Sequence, residues 1–321
     1  VVVADDVRHR GLAGLAPDLV VRHVGGTGGD AAATIAALQA ADAVLVRNRT
    51  VIGAAVLEAC PHLRAVARFG VGLDNIDLPA ADRAGVVVLS LRGANAVSVA
   101  EHALGLALAL ARRTVTVDRS ARLGGWDRRD GRELHGGTWG VLGAGATGSA
   151  VAVRARALGM RTLAHDPGVP DLLLREAGIK PVGIEDLARR SDVLSVHVPG
   201  GAATRGLVDR HLLGLLPDGA YLVNLSRGDV VDEDAVLAAL ESGRLGGAAL
   251  DVRREEPPVV GALERRDDVV LTPHVGGLTT ASTDRIVHAL VDDLRRLFAG
   301  EPAHHAVGAA RHLTPPAEGA P

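Results

Sequence analysis

The chain has 321 residues, a net charge of −3, a hydrophobic fraction of 47% and a charged fraction of 23%. That length points to two domains and that composition to a globular protein, with no charge excess to mark a nucleic-acid or membrane-surface partner. The single cysteine, Cys60, excludes an internal disulfide framework and a Cys-rich zinc site, and an aromatic content of 2% argues against base-stacking platforms. No metal site is expected. No apolar run approaches the ~18–20 residues that span a bilayer. The opening VVVADDV has neither the basic region nor the cleavage site of a secretory leader, so the expected location is cytoplasmic. The only lysine, Lys180, lies in GIKPVGI and reads as a solvated surface residue, and no GxxxxGK[ST] phosphate loop is present.

In chain order, short apolar runs alternate with helical patterns, as in a parallel sheet covered by helices. VVVA (1–4), AVLV (43–46), LRAVAR (63–68) and VVVL (86–89) read as strands. Segments 31–41 and 51–60 have helical spacing, and 78–84 is a short helical turn before Gly85. One long helix is expected over 98–119, apolar almost all round from 103 to 111, and it reads as a linker leaving the first domain. The polar, turn-rich stretch 123–137 is a loop. A second alternation follows. Strands are expected at 138–143, 160–166, 179–182, 193–198, 220–226, 247–252 and 269–274, with helices at 146–158, 184–190 and 233–242. A final helix runs over 280–299, and the tail from about 311 is expected to be disordered.

The first chemical signal is GAGATG (143–148), which follows a strand and opens a helix. Gly143 makes the tight turn, Gly145 lets a pyrophosphate approach the backbone, and Gly148 lets the helix pack on the strand. The amides at the helix start, around Ala146 and Thr147, face an anion. Asp166 closes the next strand about 20 residues further on, where an acid receives the hydroxyls of an adenosine ribose. Its carboxylate would repel a 2′-phosphate, which favours NAD over NADP.

Ligands of open parallel sheets bind beyond the carboxyl ends of the strands. Arg227 follows AYLVNLS, Glu256 follows GAALDV, and His274 ends VVLTPH, each after a different strand. Taken singly, such an arginine more often makes a surface ion pair, such a glutamate a turn, and such a histidine a cap. Beside a dinucleotide turn the three suit hydride transfer to a 2-keto acid. A guanidinium holds a carboxylate and polarises a ketone, an imidazole moves the proton, and an acid orients the imidazole.

The residues at this point are similar to the D-isomer-specific 2-hydroxyacid dehydrogenase family. The motifs are RFGVGLDNID (68–77), NAVSVAEHALGLALALAR (95–112), GAGATG with HDP (165–167), VNLSRGDVVDEDAV (223–236), GAALDVRREEP (247–257) and TPHVGG (272–277). The resemblance implies an α/β fold of two Rossmann-like, doubly wound parallel-sheet domains with a cleft between them. A substrate domain of residues 1–94 and 281–321 would be interrupted by an NAD-binding domain of residues 95–280. It implies Arg227, Glu256 and His274 as catalytic residues, and NAD contacts from Val198, Leu225, Asp251, Gly276 and Gly277 besides the glycine turn and Asp166. Amides near Val71 and Gly72 would hold the substrate carboxylate, and a homodimer is expected.

Within the family the chain resembles 3-phosphoglycerate dehydrogenases, and also relatives that oxidise sulfolactate. VRNRTVI (46–52) matches a segment near a substrate's distal anion, which makes Arg47, Asn48 and Arg49 candidates for a second anionic group. Departures include Val71 for a frequent Thr, Trp139 for a smaller apolar residue and Arg253 for a common Phe. The regulatory domains of longer phosphoglycerate enzymes are not expected. Formate dehydrogenases look like having Gln where Glu256 stands, which counts against that activity. The alternative is an NAD(H)-sensing, corepressor-like protein on the same fold without turnover.

Overall fold

The computed structural model describes residues 1–5, 7, 9–15 and 19–312. The chain folds as two compact units, one of Val1–Asn95 with Thr279–Pro321 and one of Ala96–Leu278. The first unit begins with β1 (Val2–Val3), β2 (Arg22–His23), α1 (Ala31–Leu38), β3 (Ala43–Val46), α2 (Ala54–Ala59), β4 (Ala65–Arg68), α3 (Leu78–Ala84) and β5 (Val87–Leu89). Local chemistry sets the helix ends. Asp30 caps α1 and Asp77 caps α3 with their carboxylates, and Gly85 stops α3 in the left-handed conformation. Strands β3, β4 and β5 are buried along their whole length, which explains their apolar runs, broken only by buried Arg68 at the end of β4.

The second unit opens with α4 (Ala96–Ala111) and α5 (Thr114–Arg122) where the sequence pattern predicts one helix. The break falls at Arg113, which takes a left-handed φ of 52°. The Ala/Leu run ends just before it, at Ala111. None of the side chains of α5 is buried, so no core contact holds it in line with α4. Instead Thr116 donates to the Asp267 carbonyl at 2.9 Å and Arg119 pairs with the Asp267 carboxylate. Helix α4 buries one face but leaves Val97 and Leu108 exposed.

Next come β6 (Thr138–Leu142), α6 (Ala146–Ala157), β7 (Arg161–His165), α7 (Asp171–Glu176), β8 (Lys180–Pro181), α8 (Ile184–Arg190) and β9 (Val193–Val196). Then follow α9 (Arg210–Gly214), β10 (Ala220–Asn224), α10 (Glu233–Glu241), β11 (Leu245–Leu250) and β12 (Val269–Leu271). Helices α7 and α9 are too short for their periodicity to stand out in the sequence. All neighbouring strands of this unit pair in parallel, in the order β12-β11-β10-β9-β6-β7-β8. The chain therefore winds outward in both directions from β6, and the switch point lies between β6 and β9. One face of the sheet packs Trp139, Val141, Val193, Tyr221 and Val223 against α4 and α6, and the other buries Leu142, Leu194, Val196 and Leu222.

The chain returns to the first unit through α11 (Thr280–Phe298), which starts at a reciprocal capping box of Thr279 and Ser282, and β13 (Ala306–Val307). That unit's sheet runs β13-β5-β4-β3-β1-β2, parallel except for the antiparallel edge strand β13. A 3-10 turn over Ala309–His312 ends the described chain, and the rest of the tail expected to be disordered lies outside the described residues. Among the described residues no helix is long and apolar enough to cross a membrane.

Trp139 is fully buried on β6, and its indole N–H donates to Ser195 Oγ on β9 at 2.8 Å. Trp139→Ala removes that bond and opens a cavity, and we expect it to lower unfolding free energy by ~3–5 kcal/mol in a denaturant titration. A loss below about 1 kcal/mol would show that this core collapses onto the vacated volume.

Candidate active site

Because every strand of the second unit runs the same way, the segments after β6, β7, β9, β10, β11 and β12 all emerge at one edge. The glycine turn leaves β6 at Gly143, whose φ is +90°. A Cβ there would lie 2.7 Å from the Val198 amide nitrogen. At Gly148 a Cβ would lie 1.9 Å from the Gly143 carbonyl oxygen, so a side chain would force α6 away from the strand. At Gly145 the Cβ position faces open space, and no side chain caps α6. The first amides of a twelve-residue helix thus point at an open position, which is what an anionic bridge needs. Asp166 is tied to the same turn. Its Oδ2 accepts from the Ala144 amide at 2.7 Å and its Oδ1 from the Gly168 amide at 2.8 Å. These residues fit a dinucleotide.

The loops after β10, β11 and β12 carry Arg227, Glu256 and His274. His274 has a left-handed φ of 55°, a strained conformation for a residue with a side chain. Its amide donates to the Asp251 carbonyl at 2.7 Å. Its Nδ1 lies 2.8 Å from Glu256 Oε2, and the other carboxylate oxygen of Glu256 accepts from the Arg253 amide at 3.1 Å. Partial burial pushes the Glu256 carboxyl upward. The hydrogen bond and charge of His274, the Arg253 amide and the charge of Arg227 outweigh burial and hold it below the usual range. Arg227 is half-buried, with Nη1 donating to the Ser226 carbonyl at 2.7 Å. The turn beneath it is held by buried Asn224. That side chain donates to the Arg227 carbonyl at 3.0 Å and accepts from the Ser226 amide at 3.1 Å.

Asp251 is buried after β11 and holds the loop that follows β12. It accepts from Thr272 Oγ1 at 2.6 Å, the Val275 amide at 2.9 Å and the Gly276 amide at 2.8 Å. His102 of α4 lies 3.6 Å from the same carboxylate and 3.2 Å from Thr272 Oγ1. Burial raises the Asp251 carboxyl, but these donors outweigh it and keep it ionised below the usual range. Leu225 is buried at the same edge and Val198 half-buried, while Ala146 is exposed, Thr147 half-buried and Gly277 half-buried. Among the described residues no group of three or more His, Cys, Asp or Glu side chains is placed to hold a metal.

The remaining candidates lie in the first unit, after β3 and β4. Asp5 is buried there and anchors the 47–50 loop by accepting from the Arg47 amide at 2.7 Å and from Thr50 Oγ1 at 2.8 Å. The Asn75 amide group donates to the Arg47 and Thr50 carbonyls at 2.8 and 2.6 Å. Asn48 and Arg49 are left exposed on this fixed loop, and Arg47, Val71 and Gly72 are half-buried. The roles of Asp5, Asn75, His102 and Thr272 carry no signal in the sequence because their partners are far away in the chain. The His102–Thr272 pair spans 170 positions.

His197, after β9, also carries no local signal. Both its ring nitrogens are buried without a hydrogen-bond partner, and burial pushes its pKa down to about 4 from 6.5. The folded protein refuses a proton there that the unfolded chain accepts, so stability is lost as pH falls from about 6.5 to about 4. We expect His197→Gln to flatten this part of a stability-versus-pH curve, lowering its slope by up to about 1.4 kcal/mol per pH unit. An unaltered slope in that variant would place the acid sensitivity elsewhere.

Residues 104–276 match the family model for D-isomer specific 2-hydroxyacid dehydrogenase, NAD binding domain. D-3-phosphoglycerate dehydrogenase of Mycobacterium leprae is 40% identical over 303 residues, which is 94% of this chain and 57% of that protein. The chain spans about half the length of the curated relatives it matches. Among solved structures, the TT0316 protein of Thermus thermophilus is 31% identical with a TM-score of 0.89, covering 95% of this chain and 99% of that one. D-lactate dehydrogenase of Aquifex aeolicus, solved with NAD and lactic acid, is 27% identical with a TM-score of 0.83, covering 94% of this chain and 96% of that one. With a family model over more than half its residues and the matching fold throughout, the chain belongs to the D-isomer specific 2-hydroxyacid dehydrogenase family.

Proposed function

We propose that the chain is an NAD-dependent dehydrogenase that interconverts a D-2-hydroxy acid and its 2-keto acid. The observation that carries this reading is the Glu256–His274 hydrogen bond, with the charge of Arg227 acting on the same carboxylate, at the edge that holds the glycine turn. The residues suited to NAD are the amides of Gly145, Ala146, Thr147 and Gly148 for the pyrophosphate and Asp166 for the ribose. Gly143 shapes the turn. Val198, Leu225, Gly276 and Gly277 would line the rest, with Asp251 fixing the backbone of Val275 and Gly276. The bound nicotinamide supplies or takes the hydride.

The chain's own groups handle charge and proton. Arg227 presents a planar cation to the keto-acid carboxylate and the polarised carbonyl oxygen. Glu256, accepting from Nδ1, fixes the tautomer of His274 and leaves Nε2 to deliver the proton to the developing alkoxide. In the opposite direction the neutral ring takes that proton. The amides near Val71 and Gly72 are suited to the substrate carboxylate.

The substrate class we infer carries a second anion, as in 3-phosphoglycerate or sulfolactate. Exposed Asn48 and Arg49, with Arg47, on a loop anchored by Asp5 and Asn75 support this, as do relatives named D-3-phosphoglycerate dehydrogenase. A homodimer using the exposed apolar residues Val97 and Leu108 of α4 belongs to the same reading.

His274→Ala is expected to slow reduction by ~10²–10⁴ with NADH affinity near normal, and Arg227→Lys to be poor because a point charge cannot replace the fork. Stopped-flow rates and NADH fluorescence titration check both, and wild-type rates in His274→Ala would remove the imidazole from the reaction. An NADH-oxidation screen over phosphohydroxypyruvate, sulfopyruvate, hydroxypyruvate, glyoxylate, pyruvate and oxaloacetate tests the substrate class. Phosphohydroxypyruvate or sulfopyruvate should lead, and Arg49→Ala should erode that lead. NADH binding without turnover across the screen would contradict the enzyme reading.

A further inference from the structure

The loop that carries Glu256 is built around a nearly buried cation, Arg253. Its side chain is only 9% exposed. Nε and Nη2 donate to the two carboxylate oxygens of Glu233 at 3.1 and 2.9 Å, a forked pair, and Nη1 pairs with Glu264. Burial lowers the pKa of the guanidinium, but these two acids outweigh it and keep the group charged. The same two carboxylates also hold the loop backbone. Glu233 accepts from the Arg254 amide at 2.7 Å and Glu264 from the Gly261 amide at 2.7 Å. Glu233 is itself fixed as the first residue of α10, which Asp232 caps.

Two contacts connect this ionic knot to the site. The Arg253 amide donates to Glu256 Oε1, so the carboxylate that holds His274 is aimed by the backbone of Arg253. The turn after Arg227 lies directly on that backbone. A Cβ on Gly228 would fall 1.9 Å from the Arg253 carbonyl carbon and oxygen. An apolar side chain here would fill volume but make none of the guanidinium's bonds. Buried ion groups of this kind add little net stability over an apolar core, while removing one partner leaves an uncompensated charge.

We propose that Arg253 is a positioning residue for the reaction. Gripped by Glu233 and Glu264, it fixes the amide that orients Glu256 toward His274 and the surface on which the Arg227 turn rests. This rests on the reading of Glu256 and His274 as the acid–base pair. The test compares wild type, Arg253→Met, Arg253→Lys, Glu256→Gln and the Arg253→Met/Glu256→Gln double variant. The readouts are the keto-acid reduction rate across pH, NADH affinity by fluorescence, and titration of the His274 ring by NMR.

Arg253→Met should leave NADH affinity within about twofold and lower kcat/KM for the keto acid by about 10- to 100-fold. It should move the His274 titration in the same direction as Glu256→Gln, and Arg253→Lys should lie between it and wild type. In the double variant it should add less than about a further twofold loss, because it acts through the missing carboxylate. An equal loss on both backgrounds, or an unmoved titration in Arg253→Met, overturns the proposal while leaving the acid–base pair intact. A Glu256→Gln enzyme with normal rate and titration overturns the pair and this inference with it. Should Arg253→Met fail to fold, Glu233→Gln keeps the cation and its second acid, and should give a smaller shift of the same sign. No shift in that variant overturns the proposal.

Discussion

The 2.8 Å hydrogen bond between Glu256 and His274 is the interaction on which the site depends. It joins the ends of two neighbouring strands, and each partner is held by further contacts. The imidazole is carried on a backbone in the left-handed region, a conformation that persists only where the surroundings over-determine it. Those surroundings are the Asp251 carbonyl, which takes the His274 amide, and the Asp251 carboxylate, which takes the amides of Val275 and Gly276. The carboxylate partner is held from its other oxygen by the Arg253 amide. The strain at His274 is thus offset by hydrogen bonds to one buried acid.

A repeated physical device runs through both units. Acids that are buried or half-buried bind backbone amides of the loops at strand ends, as Asp251 does after β12, Asp166 at the glycine turn and Asp5 at the 47–50 loop. A carboxylate accepting two or three donors fixes loop geometry more tightly than apolar packing does. The loops that carry the candidate site residues are therefore held by side-chain-to-backbone hydrogen bonds from acids. His197 is the contrasting case, a buried ring with no partner, kept neutral by desolvation alone.

Much of the fold was legible in the sequence because buried parallel strands must be continuous apolar runs. AVLV at 43–46 and the helices at 78–84 and 184–190 fall where the pattern puts them. Other ends shift by a few residues, as where 247–252 becomes Leu245–Leu250, since an apolar run does not mark which residue ends the ladder. The break at Arg113 was hidden because the apolar periodicity of α4 does not reveal that the next turn has nothing to pack on. Two-residue strands such as β2 and β13 are shorter than any period. In the site, the glycine turn, Asp166 and the three strand-end side chains stood out by residue type and place. His102 and the partners of Arg253 did not, because their significance lies in partners brought near only by the fold.

The most direct test of the central claim is a crystal structure of the chain with NAD and a non-reacting keto-acid analogue such as oxalate. The expected result places His274 Nε2 and the Arg227 guanidinium each within about 3.2 Å of analogue oxygens, with the Glu256–Nδ1 bond intact. An analogue bound beside the nicotinamide but out of reach of both side chains would contradict it.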